Sequence, residues 1–274
     1  MNIYKPFFSV VIPALNEENF LPLLLEDLKK QKFKNFEVVI VDGSSTDETI
    51  KVAKYFDKNL NLKTFVVKKR NVSFQRNFGA EKSIGKYILF IDADTRIKSD
   101  FLLKANKIIQ SKKYLILLPK FALTKKDPLA NLFIMLSNYA IEISQITSKP
   151  FASGGNFIIY KDFFNHISGF NEKLYISEDH DIVTRAKKIG VTAIYCKNLL
   201  CEFSLRRLNK DGFIDLAKKY ALSSIYRLIK GGVYKKIYNY EMGGARYIAS
   251  EMNNKKINDY KVLYEKFIKL IEKL

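Results

Sequence analysis

Hydrophobic positions in the first hundred residues come in short, nearly continuous runs separated by segments of helical spacing. The runs "FSVVI" (8–12), "EVVIV" (37–41), "KTFVV" (63–67) and "YILFI" (87–91) are rich in β-branched and aromatic residues and read as strands. Between them, "FLPLLLEDLKKQ", "TDETIKVAKYF" and "SFQRNFGAEKSI" carry helical spacing or caps. Ser45 and Glu48 fit a capping box, which predicts a helix starting there. Strands this apolar cannot leave a face in water. Alternating with helices, they predict an α/β fold: a mostly parallel sheet covered by helices on both faces, with right-handed crossovers.

After residue 100 the pattern loosens into a helix near 100–111, a strand "YLILL" (114–118) and a long amphipathic segment near 128–146. A glycine pair then precedes the strand "NFIIY", and a helix opens at "SEDHD" (177–181) with Ser177 in N-cap position. From residue 202 the composition shifts: residues 202–240 hold nine Lys or Arg against three acids, interleaved with Tyr, Leu and Ile. The final "INDYKVLYEKFIKLIEKL" places Tyr260, Leu263, Tyr264, Phe267, Ile271 and Leu274 on one face at helical spacing. The expected organisation is a domain over residues 1–201 and a helical, basic C-terminal extension over 202–274. That extension either packs on the domain or lies on a membrane surface.

With 274 residues, 47% of them hydrophobic, the chain can bury one large core. Lys and Arg total 47 against 28 Asp and Glu, so a formal charge of +19 favours polyanionic partners such as nucleotides, lipid phosphates, anionic bilayers or nucleic acid. Cys196 and Cys201 stand as C-x4-C with no second pair or histidine cluster, which argues against structural zinc or a disulfide framework and for a reducing cytosolic compartment. The apolar start "MNIYKPFFSVVIPALNEEN" lacks the basic region and cleavage site of a signal peptide and reads as a first strand. The most apolar stretch, "PLANLFIMLSNYAIEISQIT", is interrupted by Asn131, Asn138 and Glu142, so no membrane span is expected.

In parallel sheets ligands bind beyond the carboxyl ends of the strands, which here are Pro13 to Glu17, Asp42 to Asp47 and Asp92 to Asp94. The first strand is followed by "PALNEEN" rather than G-x-G-x-x-G, and no G-x-x-x-x-G-K-[ST] loop occurs, which excludes the usual dinucleotide and P-loop chemistries. In "DADT", extended backbone would point Asp92 and Asp94 the same way, a pair of hard ligands for Mg2+ or Mn2+ whose shell is completed by phosphate and water. The other reading is that Asp94 tethers a turn and Asp92 is solvated. Asp42 sits outside the capping box and is placed to accept hydrogen bonds from a base edge or ribose. In "SEDHD", Glu178 and Asp179 suit a helix N-terminus by charge alone, while Asp179 is the candidate to take a proton from an alcohol. His180 reads as a packing or surface residue. Gly154 and Gly155 permit close backbone approach to a sugar or form a plain turn, and Arg206 with Arg207 either binds phosphate oxygens or forms a solvated face.

The order of these pieces is specific. "VVIPALNEEN", "EVVIVDGSSTDET", "NVSFQRNFGAEKSIGKYILFIDADT", "GGNFIIYKDFFNHISGFNE" and "SEDHD" together resemble the family 2 glycosyltransferases of the GT-A fold, over roughly residues 7–195. The resemblance implies inverting transfer of a sugar from a nucleotide-diphospho-sugar to an acceptor hydroxyl, assisted by Mg2+ or Mn2+. It implies that Pro13, Ala14, Glu17 and Asp42 line the nucleoside site, with Arg76 near base or ribose. Asp94 would ligate the metal and Asp92 would contact ribose or the metal's water. Asp179 would be the catalytic base, and Gly154, Gly155 and Asn156 would border the donor sugar with Glu178 nearby. Two departures stand out: Gly43 replaces the second aspartate of a "VDDGS" pattern, and "YCKNLLCEFS" lacks the histidine that some members supply to the metal, leaving Cys201 or Glu202 as substitutes.

Other classes fit less well. A sugar nucleotidyltransferase would need a glycine- and basic-rich loop where "PALNEEN" is acidic, and a basic nucleic-acid-binding module leaves Asp92, Asp94 and Asp179 unexplained. The expected setting is the cytoplasm, peripheral to the inner face of the cell membrane, where the basic aromatic extension would meet anionic headgroups and the acceptor is lipid-linked or a growing glycan.

Overall fold

In the computed structural model, which describes residues 5–122, 128–202, 204, 206 and 213–235, the first four apolar runs form strands. These are β1 (Phe8–Ala14), β2 (Phe36–Asp42), β3 (Leu62–Val66) and β4 (Tyr87–Phe90), followed by β5 (Arg96–Ile97), β6 (Ile116–Ala122), β7 (Phe157–Tyr160) and β8 (Ile194–Glu202). Helices α1 (Leu21–Lys29), α2 (Thr49–Tyr55) and α3 (Val72–Lys82) fill the first crossovers. Further along lie α4 (Phe101–Lys112), α5 (Pro128–Ser144), α6 (Lys161–His166), α7 (Glu178–Lys188) and α8 (Phe213–Lys230).

The strands make one sheet in the order β3-β2-β1-β4-β7-β6-β8-β5. β1, β2, β3 and β4 pair in parallel, β7 is antiparallel to both β4 and β6, β8 runs with β6, and β5 is antiparallel to β8. Thus only β5 and β7 run against the rest. Every residue of β1 and β2 is buried. Since successive side chains point to opposite faces, both faces of the sheet are covered there.

Because β7 is reversed, its start arrives at the same edge of the sheet as the carboxyl ends of β1 and β4, so three chain segments converge without long loops. The turn after β4 is anchored from below. Arg96 grips Asp27 of α1 with Nε and Nη2 at 2.6 and 2.8 Å, and the Ile97 amide donates to the same carboxylate at 3.1 Å.

Several local expectations are corrected by tertiary contacts. Ser45 does not cap α2: its amide and hydroxyl both donate to the Asp42 carboxylate, the helix starts at Thr49, and Asp47 accepts from the Thr49 amide at 3.1 Å. Ser177 occupies the N-cap position of α7 but in the left-handed region (φ 67°), with no side-chain capping bond. Residues 92–95 are not extended; they close a turn in which the Thr95 amide donates to the Asp92 carbonyl at 3.0 Å. α3 begins one residue early because Asn71 caps it, accepting from the Phe74 amide at 2.8 Å. Among the described residues, no helix is long and apolar enough to cross a membrane.

Candidate active site

At the edge where β1, β4 and the start of β7 meet, a cavity of about 390 Å3 opens, closed on its far side by α5, the start of α7 and α8. Pro13 and Ala14 at the end of β1, Glu17 after it, Asp92 and Asp94 after β4, Gly154, Gly155 and Asn156 before β7, Glu178 and Asp179 on α7, and Arg206 all line it. Residues drawn from most of the chain's length are therefore collected around one space.

Arg76 organises the floor. α3 carries it against the sheet at Gly79, where a Cβ would fall 2.4 Å from a Val11 methyl, so only glycine allows this approach. The Arg76 side chain is 3% exposed; Nη1 donates to Glu178 at 2.6 Å and Nη2 to Asp92 at 2.7 Å. Burial works against its charge, but Asp92 and Glu178 outweigh that and hold the guanidinium above its ordinary value. Gly155 completes the fit, since a Cβ there would lie 1.8 Å from Arg76 Nη2. The glycine pair expected to admit a sugar thus first admits an arginine. Asn156 fixes the turn beside it, its side-chain oxygen accepting from the Asp92 amide and the Thr95 hydroxyl, both at 3.0 Å.

A second arginine serves the other aspartate. Arg206 forks onto Glu17 with both terminal nitrogens at 2.7 Å, its Nε lies 2.9 Å from Asp94 Oδ2, and its guanidinium rests 4.9 Å from the centre of the Phe20 ring. Burial pushes Glu17 up to about 7, against the pull of Arg206. The two carboxylates of "DADT" are therefore divided between two guanidinium groups, one from α3 and one from beyond β8.

Asp179 is 5% exposed, and burial raises its carboxyl above the ordinary range against the pull of the His180 backbone amide and Arg76. His180 lines the cavity beside it. Its Nδ1 accepts from the Ala152 amide at 2.9 Å, so the 3.3 Å approach of Asp179 to the same nitrogen is not an ion pair. Burial, with Arg227 nearby, lowers the imidazole to about 3. Phe151 packs edge-on to His180 at 5.2 Å, and Arg227 of α8 stacks 4.7 Å over Phe151 while donating to the Lys149 carbonyl at 3.0 Å.

A neutral, buried histidine has a consequence for acid stability. Between its unfolded value of 6.5 and its folded value of about 3, the unfolded chain binds a proton that the native state refuses. Stability from this group is full above pH 6.5 and lost as pH falls to 3, by about 5 kcal/mol at about 1.4 kcal/mol for each pH unit. Urea unfolding of the wild type and His180→Gln should show the wild type losing that much relative to the variant between these pH values. A constant difference would mean that the imidazole is protonated in the native protein.

Not every expected residue reaches the cavity. Asp42 is fully buried with both oxygens engaged by Ser45, and it does not line the space. Cys201 is buried in β8 with its thiol pushed up by burial, and Glu202 lies across from Arg96; neither lines the cavity. Arg207 lies outside the described residues. Conversely, sequence reasoning passed over Gln75, whose side chain bridges the Ala14 and Val41 carbonyls at 2.9 and 2.8 Å and joins the ends of β1 and β2. Gly43 leaves Gln75 its place, since a Cβ would stand 3.2 Å from the amide nitrogen. It also passed over Phe133, Tyr220 and Ser223. The last two repeat with Arg227 at helical spacing, in a segment read as either packing on the domain or lying on a membrane surface.

A sequence-family model, Glycosyl transferase family 2, matches residues 9–168 of the chain. Among curated proteins, the poly(ribitol-phosphate) beta-N-acetylglucosaminyltransferase TarS of Staphylococcus aureus (strain Mu50) is 35% identical over 106 residues, 37% of this chain and 18% of that protein. A PGL/p-HBAD biosynthesis glycosyltransferase of Mycobacterium bovis (strain BCG) is 37% identical over 91 residues, 32% of this chain and 36% of that protein. Both matches span well under half of the relatives' own length. Among solved structures, S. aureus TarS 1–349 in complex with UDP-GlcNAc superposes with a TM-score of 0.60 at 23% identity, covering 72% of this chain and 58% of that one. The mannosyltransferase PcManGT from Pyrobaculum calidifontis, in complex with GDP-Man and Mn2+, gives 0.61 at 18%, covering 80% and 65%. At such identities the structures establish the GT-A fold, and the family match, spanning more than half of the sequence, establishes the family: this chain belongs to glycosyl transferase family 2.

Proposed function

We propose that the protein moves a sugar, with inversion, from a nucleotide-diphospho-sugar to an acceptor hydroxyl, with Asp179 as the general base. The observation that carries this reading is a buried carboxylate of raised pKa on the cavity wall facing the strand ends. In the proposed step the acceptor oxygen attacks the anomeric carbon opposite the diphosphate, Asp179 takes the hydroxyl proton, and the electron pair of the broken bond leaves with the diphosphate. Burial helps by making the carboxylate a stronger base. Arg76, which lines the cavity, contributes fixed positive charge, and its buried Nε has no hydrogen-bond partner among the described residues. The complexes named for TarS and PcManGT, with UDP-GlcNAc and with GDP-Man, support a nucleotide-sugar donor.

The acidic pair Glu17 and Asp94 already holds a cation, the Arg206 guanidinium, so this position tolerates concentrated positive charge. Among the described residues no group of three or more His, Cys, Asp or Glu could cage a metal alone. That donor set fits Mg2+ or Mn2+ arriving with a diphosphate, which needs one or two protein carboxylates, Asp94 first and Asp92 second. Such an ion would neutralise charge developing on the departing diphosphate. Arg206 must then release Asp94 and becomes available to phosphate oxygens.

The test is a thermal-shift screen of nucleoside diphosphates with and without Mn2+, on the wild type and Asp94→Ala. One nucleotide should stabilise the wild type in a metal-dependent way and lose most of its effect in the variant. No response to any nucleotide would overturn the donor assignment. We further propose that the reaction runs at the cytoplasmic face of the membrane, with residues 202–274 as the basic extension that meets it.

A further inference from the structure

The α5 side of the cavity, opposite the strand ends, is mainly apolar. Phe133, Ile134, Ala140 and Ile141 line it with Ser137, α8 adds Tyr220, Ser223 and Ser224, and the Phe133 and Tyr220 rings stack at 5.9 Å. A polar nucleotide gains nothing from such a wall, but a hydrocarbon chain does. The same two helices are apolar on their outer sides as well. α5 carries a single charged residue, Glu142, over Pro128–Ser144, and exposes Met135, Leu136, Tyr139 and Ile143. Helix α8 turns Tyr220, Ser223 and Arg227 inward and leaves Leu222, Ile225 (54% exposed) and Ile229 (71% exposed) outward. The helices are locked side by side at one end, where Lys149 of the loop after α5 donates to the Leu228 carbonyl and Arg227 donates to the Lys149 carbonyl. α5, with apolar side chains on both its inner and outer faces, and the apolar outer face of α8 beside it need a partner that is not water.

Charge selects the partner. Exposed Lys218 and Lys230 lie on α8 with the apolar stripe, in a chain whose formal charge is +19. Apolar side chains flanked by lysines on one helix match an anionic bilayer, where the former enter the headgroup boundary and the latter meet phosphate. A second copy of this chain would bring like charges together.

We propose that the outer faces of α5 and α8 seat the enzyme on an anionic bilayer, and that a lipid-borne acceptor reaches Asp179 along the apolar wall between these helices. This rests on the reading of Asp179 as the base and names the acceptor class for it. The apolar surface that gathers the lipid is continuous with the space where its hydroxyl would react.

The test is flotation of the full chain with vesicles of equal phosphatidylglycerol and phosphatidylcholine, compared with phosphatidylcholine alone. The wild type should float at least tenfold more with the anionic vesicles. Ile225→Glu with Ile229→Glu, and separately Tyr139→Glu with Ile143→Glu, should each reduce flotation about tenfold while leaving the nucleotide thermal shift intact. Absence of flotation, flotation unchanged by both pairs, or a dimer in light scattering that either pair dissociates would overturn the docking surface. The nucleotide shift reads the donor site separately, so its loss in the wild type would count against the transfer reading and not against docking. For the cavity, the Ile225→Glu, Ile229→Glu variant should bind dodecyl phosphate below its micelle concentration at least tenfold more tightly than methyl phosphate by calorimetry. Equal affinity would remove the lipid-borne acceptor.

Discussion

Asp179→Asn should fold, bind nucleotide within about twofold of the wild type and lose transfer by roughly 10²–10⁴-fold, the range a positioned general base supplies. Asparagine matches the shape of the carboxylate and can accept the same backbone hydrogen bond, but it cannot hold the proton of the attacking hydroxyl. The stability expectation runs the other way. Burial disfavours the ionised carboxylate in the native state, so a neutral side chain relieves that cost and the melting temperature should hold or rise. The measurement is release of nucleoside diphosphate from the donor sugar that the thermal screen identifies, alongside a melting curve. Turnover within threefold of the wild type would remove Asp179 from the role, while lost turnover with a collapsed melting curve would mean that the residue is structural.

Arg76→Ala should be the most destabilising single change in the cavity. The guanidinium is buried and joins Glu178 at 2.6 Å to Asp92 at 2.7 Å, and its removal leaves two carboxylates close together without their shared counter-charge. Breaking a buried pair in this way costs about 3–5 kcal/mol. At roughly 2–4 °C per kcal/mol in a chain of this size, the melting temperature should fall by about 10 °C. Arg76→Lys should recover only part of this, because a single ammonium cannot fork onto two carboxylates as a guanidinium does. Gly155→Ala should resemble Arg76→Ala, since the added methyl would occupy the space of Nη2. A melting temperature within 2 °C of the wild type for Arg76→Ala would show that the two carboxylates are held apart by something other than this arginine. Nucleotide binding read on the same samples separates loss of the floor from loss of the whole fold.

The sequence by itself determined most of the strands, though not β8, because composition and alternation are local properties that survive averaging over neighbours. β1, β2 and β4 lie where the apolar runs placed them; β3 is shifted by one residue, and β6 starts two residues later and runs to Ala122 instead of ending at 118. The two-residue β5 left no pattern, as it exists only through pairing with β8. Motif order also named the family, and it marked Asp92, Asp94 and Asp179 as residues in need of explanation.

What only the tertiary structure decided is which charges meet. Arg76 and Glu178 are 102 positions apart, and Arg206 and Glu17 are 189 apart, so no local window contains either pair. The capping box at Ser45 failed for the same reason: a buried Asp42 at the end of β2 is a stronger acceptor for that serine than the helix it precedes. Hydrophobic patterning reports where the chain must avoid water, and it does so one segment at a time. The pairing of buried charges reports where distant segments converge, and in this protein that convergence makes the site.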